Sequence, residues 1–140
     1  MLSKNAIIVY NKLVKKMTYF GGVSMEQMIS WFEIPCIDIQ RAANFYSEIF
    51  EKTLEITDFQ GIDTAFFPTG GALVKEDSKP SKDGIIIYLN GGDDLSNILN
   101  RIEPAGGKVL VPKRQISEKI GYYALFLDTE GNRLGLFSKN

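Results

Sequence analysis

The chain has 140 residues, 44% of them hydrophobic, and a formal net charge of −1. This length and composition are typical of one ordinary soluble domain, or of two small repeats fused into one. The near-neutral charge excludes a global basic field that would attract nucleic acid. The sequence contains no histidine, so it lacks the commonest general base, the commonest metal ligand, and any Ser-His or Cys-His nucleophile pair.

Cysteine content and hydropathy indicate the compartment. A single cysteine, Cys36, excludes a disulfide framework within the chain and suits a reducing environment. No apolar run approaches the roughly 18 residues that a transmembrane helix needs. We therefore expect a cytoplasmic protein that binds neither membrane nor nucleic acid, with Cys36 an ordinary small residue.

Residues 1–24 differ from the rest of the chain because they carry four lysines and no acidic residue. Their apolar run Ala6–Tyr10 is too short for the core of a secretory signal. We interpret the segment as a basic N-terminal extension that is loosely packed. A basic amphipathic arm that docks on a partner or on an anionic surface is the alternative. The compact domain is expected to span residues 25–140.

The first half of this domain predicts one helix among strands. Met28–Pro35 alternates as a strand, with Phe32 on one face and Trp31 and Glu33 on the other. Asp38 suits the N-cap of a helix over 39–50, whose apolar residues recur at helical spacing. Three further strands are expected, at Lys52–Phe59, Thr64–Phe67 and Ala72–Lys75. The polar segment 76–83 is predicted to be a linker.

The same pattern then repeats. A strand over Gly84–Asn90 precedes a helix capped by Asp93 or Asp94, and Lys108–Pro112 is the next strand. The sequence therefore predicts an α+β fold of two βαβββ modules in one domain, with module one at about 28–75 and module two at about 84–138.

The last twenty residues contain the clearest hairpin signal. The alternating runs Tyr122–Leu127 and Asn132–Phe137 flank a polar turn closed by Gly131. If Leu127 pairs near Asn132, one face is entirely leucine and suits a covering layer of helices. The other face then presents aromatic, small and charged side chains and suits a concave pocket. That second set is Tyr122, Ala124, Phe126, Arg133, Gly135 and Phe137.

Four segments together resemble the vicinal-oxygen-chelate superfamily, which includes glyoxalases, bleomycin-resistance proteins and extradiol dioxygenases. They are Ile29–Tyr46, Tyr88–Val109, Val111–Lys113 and Gly121–Phe137, and they include a helix start Asp-x-x-x-Ala-x-x-Phe-Tyr and a turn Asp-x-x-Gly-Asn. The resemblance implies paired βαβββ modules whose mixed sheets cup a cavity, usually in a homodimer. Glu51 stands where relatives often have a glycine just after the helix.

The family's metal site is not retained. By the resemblance, the ligand positions fall on Trp31, near Ile86, on Gly135, and near Val74 or Lys75. None of these side chains is a suitable ligand for the divalent metals of the family's enzymes. We therefore expect no metal and no cofactor.

The candidate ligand-binding residues are those expected to face the cup: Trp31, Glu33, Tyr88, Asn90, Tyr122, Phe126, Arg133 and Phe137. Arg133 offers a planar fork to an acidic ligand, although a structural role beside the turn is equally consistent with its position. Glu33 is a weak candidate for a general base. It could instead pair with Arg133 across the cavity or remain solvated. The aromatic residues could also be ordinary core.

These features favour a metal-independent small-molecule binding or sequestering protein over an enzyme. The expected ligand is small, partly aromatic and acidic. The alternative is a lyase, isomerase or dioxygenase-type enzyme of the same superfamily, with an atypical site that uses Glu33 or a tyrosine. A purely structural dimer with a filled cavity is the third possibility.

Overall fold

A computed structural model describes residues 29, 31–77 and 79–140. The basic extension predicted at residues 1–24 lies outside this part of the chain, and so do residues 28 and 30 of the predicted strand Met28–Pro35. No helix within the described ranges is long and apolar enough to cross a membrane.

The fold is α+β and consists of two βαβββ modules, as predicted. The first module contains β1 (Phe32–Pro35), α1 (Ile39–Phe50), β2 (Ile56–Phe59), β3 (Ile62–Phe66) and β4 (Gly71–Val74). The second contains β5 (Tyr88–Asn90), α2 (Ser96–Ile102), β6 (Lys108–Ser117), β7 (Gly121–Leu127) and β8 (Arg133–Ser138).

Each module forms a four-stranded mixed sheet with the same topology. The strand orders are β1-β4-β3-β2 and β5-β8-β7-β6. In both sheets the first strand runs parallel to the last, and the remaining neighbours are antiparallel. The outer strands β1, β2, β5 and β6 each leave one edge without a partner strand in the described chain.

Several strand limits differ from the predicted ones. The strand expected over Lys52–Phe59 is shortened to β2, and the strand expected over Gly84–Asn90 is shortened to β5. Gly84 has φ +93°, which is incompatible with extended strand. Conversely, β6 continues through Pro112 as far as Ser117. An edge strand can include proline because one side of it needs no ladder donor.

The helix α1 follows directly from the sequence. The carboxylate of Asp38 accepts a hydrogen bond from the backbone N–H of Arg41 at 3.0 Å, as an N-cap should. The helix ends at Glu51, which adopts the left-handed conformation with φ 53° that glycine usually supplies at this position. Glu51 therefore performs the turn expected of the glycine in relatives.

One hydrophobic core joins the two modules. The apolar stripe of α1 contacts the inner face of the first sheet and also reaches the second module, where Phe45 lies 6.3 Å from Phe126 between ring centroids. The two helices are linked by Arg101 Nε, which donates to the carbonyl of Ile49 at 2.8 Å. The chain is therefore one domain with an internal repeat.

The predicted faces of the last hairpin are wrong. Leu127 lies opposite Arg133 rather than Asn132, a register difference of one residue. Side chains alternate between the two faces of a strand, so a shift of one residue pairs each face of β7 with the opposite face of β8 from the one predicted. The core face carries Tyr122, Ala124, Phe126, Leu134, Leu136 and Ser138, whereas the open face carries Tyr123, Leu125, Leu127, Arg133, Gly135 and Phe137.

Candidate functional site

A shallow apolar cavity of about 480 Å³ lies on the open face of the second sheet. Its lining residues are Tyr88, Ile116, Ile120, Tyr123 and Phe137. All four strands of the sheet and the β6–β7 turn thus contribute to one surface. The side chains of Tyr88, Ile116 and Ile120 are about half exposed, so these large apolar groups adjoin the same cavity in contact with solvent.

Two of the predicted ligand-binding residues meet here. Tyr88 is directly opposite Gly135 in the β5–β8 ladder, and Asn90 is opposite Phe137. Tyr88 and Phe137 therefore share the open face and line the cavity. Asn90 closes the end of β5, where its Oδ1 accepts the backbone N–H of Gly92 at 2.9 Å.

The ring of Tyr88 lies flat against Gly135. A Cβ atom placed on Gly135 would overlap Cδ1 and Cε1 of this ring, so a larger residue there would displace Tyr88. Gly135 is also the position at which the resemblance places a metal ligand. Within the described residues, no group of three or more Asp, Glu, Cys or His side chains could hold a metal ion. The residues present at this site do not fit the family's metal centre.

Trp31 and Glu33 lie on the open face of the other sheet. The Trp31 ring is 6.2 Å from that of Phe66, which in turn is 5.8 Å from Phe59. Glu33 is exposed and opposite Ala72. Neither Trp31 nor Glu33 lines the 480 Å³ cavity.

Tyr122 and Phe126 were wrongly assigned to the pocket. Phe126 is fully buried on the core face beside Phe45. Tyr122 packs against the same core and lies beneath Lys113, whose Nζ is 4.5 Å from the ring centroid. The cause is the register shift described above, which turns both side chains towards the helices.

Arg133 donates hydrogen bonds to the chain at the end of the linker. Its Nη2 donates to the carbonyl of Gly84 at 3.1 Å, and its backbone N–H donates to the carbonyl of Ser81 at 3.2 Å. No ion pair joins Glu33 to Arg133 among the described residues. These contacts agree with the structural role beside the turn.

Sequence reasoning missed Ile116, Ile120 and Tyr123 as lining residues. Tyr123 was missed because the predicted register placed it on the wrong face. The two isoleucines were missed because β6 was ended at Pro112. A further basic residue, Arg114, is exposed and opposite Tyr123, so the two side chains leave the sheet on the same face.

A buried polar network links the β7–β8 turn to the first module. Glu130 accepts hydrogen bonds from the backbone N–H groups of Ile37 and Asp38, and from Arg41 Nε at 2.7 Å. The Asp128 carboxylate accepts the hydroxyl of Tyr46 at 2.8 Å. No sequence pattern predicts the pairs Tyr46–Asp128 and Arg41–Glu130, because the paired residues are more than 80 positions apart.

Burial dominates the electrostatics at Asp128, Tyr46 and Cys36, whose pKa values all rise. It raises the pKa of Asp128 despite hydrogen bonds from Asn132 and Tyr46, and it raises the pKa of Tyr46 well above its ordinary value. The pKa of the Cys36 thiol rises to about 12, through burial first and the charge of Glu130 second. Cys36 is therefore a protonated structural residue that donates to the carbonyl of Val74.

Known proteins share this architecture. The profile of the Glyoxalase/Bleomycin resistance protein/Dioxygenase superfamily matches residues 28–136. A glyoxylase-like domain-containing protein from Didymella fabae is 32% identical over 114 residues, which cover 74% of this chain and 88% of that protein.

Two solved structures show the same fold at low identity. A glyoxalase/bleomycin resistance protein from Albidiferax ferrireducens T118 superposes with a TM-score of 0.65 at 13% identity, covering 81% of this chain and all of that one. A mutant of glyoxalase I from Zea mays superposes with a TM-score of 0.62 at 18% identity, covering 80% of this chain and 45% of that one. With its paired βαβββ modules and its profile match over most of its length, this chain belongs to the glyoxalase/bleomycin resistance protein/dioxygenase superfamily.

Proposed function

We propose that this protein is a metal-independent small-molecule binding protein, and that the open face of its second sheet holds the ligand. The observation that carries the proposal is the 480 Å³ cavity and its five large apolar liners. Its volume falls within the range of about 300–1,000 Å³ that is typical of small-molecule sites. Two tyrosine rings and one phenylalanine ring favour a flat, partly aromatic ligand.

The acidic group of this ligand would be met by Arg114 rather than by Arg133. Arg114 is exposed and projects from the same face as Tyr123, which lines the cavity. Arg133 already donates to the carbonyl of Gly84, just after the linker. A guanidinium offers two parallel donors to a carboxylate, so Arg114 supplies orientation as well as charge.

Binding is favoured over turnover because the lining residues include no carboxylate. A metal-free enzyme of the same superfamily is the second candidate, since glyoxalase I shares the fold and since two tyrosines, Tyr88 and Tyr123, line the cavity. Such an enzyme would use a tyrosine, or Glu33 contributed from the first sheet. Accumulation of a product from any bound compound would favour this candidate.

We further propose a cytoplasmic homodimer. Four strand edges have no partner strand within the part of the chain that the structure describes. Large apolar side chains also remain exposed, namely Ile85 (90% exposed), Tyr88, Ile116 and Ile120. Closed two-fold pairing covers such surfaces in most oligomers. It could also set Trp31 and Glu33 of one copy across from the cavity of the other. Light scattering at micromolar concentration should report twice the mass of the chain, and a monomer would contradict the dimer.

The binding proposal is tested by a thermal-shift screen of aromatic acids and their neutral analogues. The melting temperature should rise with hits that retain both the ring and the acid. Phe137→Ala should abolish the shift, and Arg114→Ala should remove the preference for the acid. Arg133→Ala and Ile37→Ala, two residues that do not line the cavity, are the matched controls.

Two results would contradict this site. One is a screen without any hit. The other is a hit whose melting shift survives in Phe137→Ala but is lost in Ile37→Ala.

A further inference from the structure

A second cavity, of about 560 Å³, opens between the two modules on the core side of the sheets. Its apolar lining includes Phe32, Phe50, Leu54 and Phe67 from the first module, and Leu89 and Ile98 from the second. Phe67, Leu54 and Ile98 belong to the buried core, and Phe32, Phe50 and Leu89 pack against it. This cavity is therefore an opening into the core, distinct from the open-face site proposed above.

The floor of this cavity is a set of packed aromatic rings. The Phe32 and Phe67 rings are 5.7 Å apart between centroids, and Tyr46 meets Phe67 edge-on at 5.3 Å. Such a floor suits an apolar chain or ring, since it offers dispersion contacts and demands no hydrogen bond. An opening of this size into an apolar core is unusual unless something occupies it.

The polar lining residues are few and carry no negative charge. Among the described residues, Lys52, Thr69 and Asn90 are exposed polar residues around the cavity, and Lys52 is the only lining residue with a charge. Lys52 forms no ion pair with any residue that the structure describes. A cation beside an apolar cleft complements a molecule with one anionic end and an apolar body.

We propose that this inter-module cavity binds a small amphiphilic monocarboxylate, with its apolar chain on the aromatic floor and its carboxylate at Lys52. The site is independent of the open-face cavity, except that Tyr88 lines both. A variant that empties one site therefore does not by itself empty the other.

The test is calorimetric titration of the full chain with decanoate, below its micelle concentration, and with decanol as the neutral analogue. Decanoate should bind saturably and more tightly than decanol. Lys52→Ala should weaken decanoate about three- to tenfold and leave decanol unchanged, because only the charge-assisted contact is lost. Lys52→Arg should retain most of the affinity. Lys79→Ala, an exposed lysine that lines neither cavity, is the matched control.

Four outcomes would overturn the proposal. Equal affinity for decanoate and decanol, or an unchanged decanoate affinity in Lys52→Ala, would remove the carboxylate from Lys52. Loss of decanoate binding in Phe137→Ala would place the molecule in the open-face cavity. Absence of saturable binding by the full chain would mean that another part of the chain, or a second copy, closes the cleft.

Discussion

The hydroxyl of Tyr46, in the first helix, donates a hydrogen bond of 2.8 Å to Asp128 at the start of the last hairpin turn. Both side chains are buried, and they come from different modules. This bond and the neighbouring contacts of Glu130 fasten the turn of module two to the start of α1. The relative placement of the modules is therefore fixed by polar contacts as well as by the shared core.

Tyr46→Phe should destabilise the protein by about 1–2 kcal/mol, because it leaves the buried Asp128 carboxylate with one hydrogen bond fewer. Urea unfolding followed by circular dichroism measures the change. Tyr123→Phe is the matched control, since its hydroxyl makes no hydrogen bond to the described residues. An equal loss in both variants would show that the Tyr46–Asp128 bond contributes nothing specific.

Glu130→Gln should destabilise the protein by about 2–3 kcal/mol at neutral pH, because it removes the charge that Arg41 and two backbone N–H groups stabilise. It should also flatten the pH dependence. Burial by itself raises the pKa of Glu130, but the hydrogen bonds from Arg41 and Asp38 outweigh it, so the pKa is lowered.

The sign of the pH effect follows from that lowered pKa. Over a range of pH, Glu130 is ionised in the folded protein but protonated in the unfolded chain. The stabilisation that ionised Glu130 provides is therefore complete above its unfolded-state pKa of about 4.3, and it is lost as the pH falls through the lowered pKa of the folded state. Asp128 acts in the opposite sense, because its raised pKa favours folding at low pH and this contribution is lost as the pH rises. Unfolding free energies between about pH 3 and 6 should therefore fall less steeply on acidification in Glu130→Gln. Glu48→Gln, an exposed change in α1, should keep the wild-type slope.

Phe126→Ala and Phe137→Ala make the same chemical change on opposite faces of one hairpin. Phe126 is fully buried, so its loss should cost about 3–5 kcal/mol. Phe137 is only half buried on the open face, so its loss should cost about 1–2 kcal/mol and act mainly on the ligand binding proposed for this face. Chemical denaturation measures the free energy of unfolding of both variants. A larger loss of stability in Phe137→Ala than in Phe126→Ala would contradict the observed register and support the one expected from the sequence.

Gly135→Ala should cost about 1–3 kcal/mol, because the added methyl group overlaps the Tyr88 ring. In a Tyr88→Ala background the same change should be nearly neutral. The double-mutant cycle should therefore give a coupling of about 1 kcal/mol or more. Additive effects would show that the cost arises from the backbone of β8 rather than from the ring. Gly135 is outside the positive-φ region, which makes the steric explanation the expected one.

The sequence by itself determined the repeat, the elements and the family. Helix α1 was predictable to the residue because its signals are local: Asp38 is a strong cap, and the apolar stripe has a clear helical period. The last hairpin was predictable as a hairpin for the same reason. The sequence alone also shows that Trp31 and Gly135, at two of the family's metal-ligand positions, have no side chain suited to bind its metals.

Only the tertiary structure decided which side chains form the candidate site. An offset of one residue between β7 and β8 moved Phe126 into the core and Tyr123 to the open face, and no local signal distinguishes the two registers when both faces contain apolar residues. The pairing of Glu130 with Arg41 was equally hidden, since residues so far apart in sequence meet only when the two modules pack together. Local periodicity determines elements, whereas register and module packing are long-range properties that determine which residues share a surface.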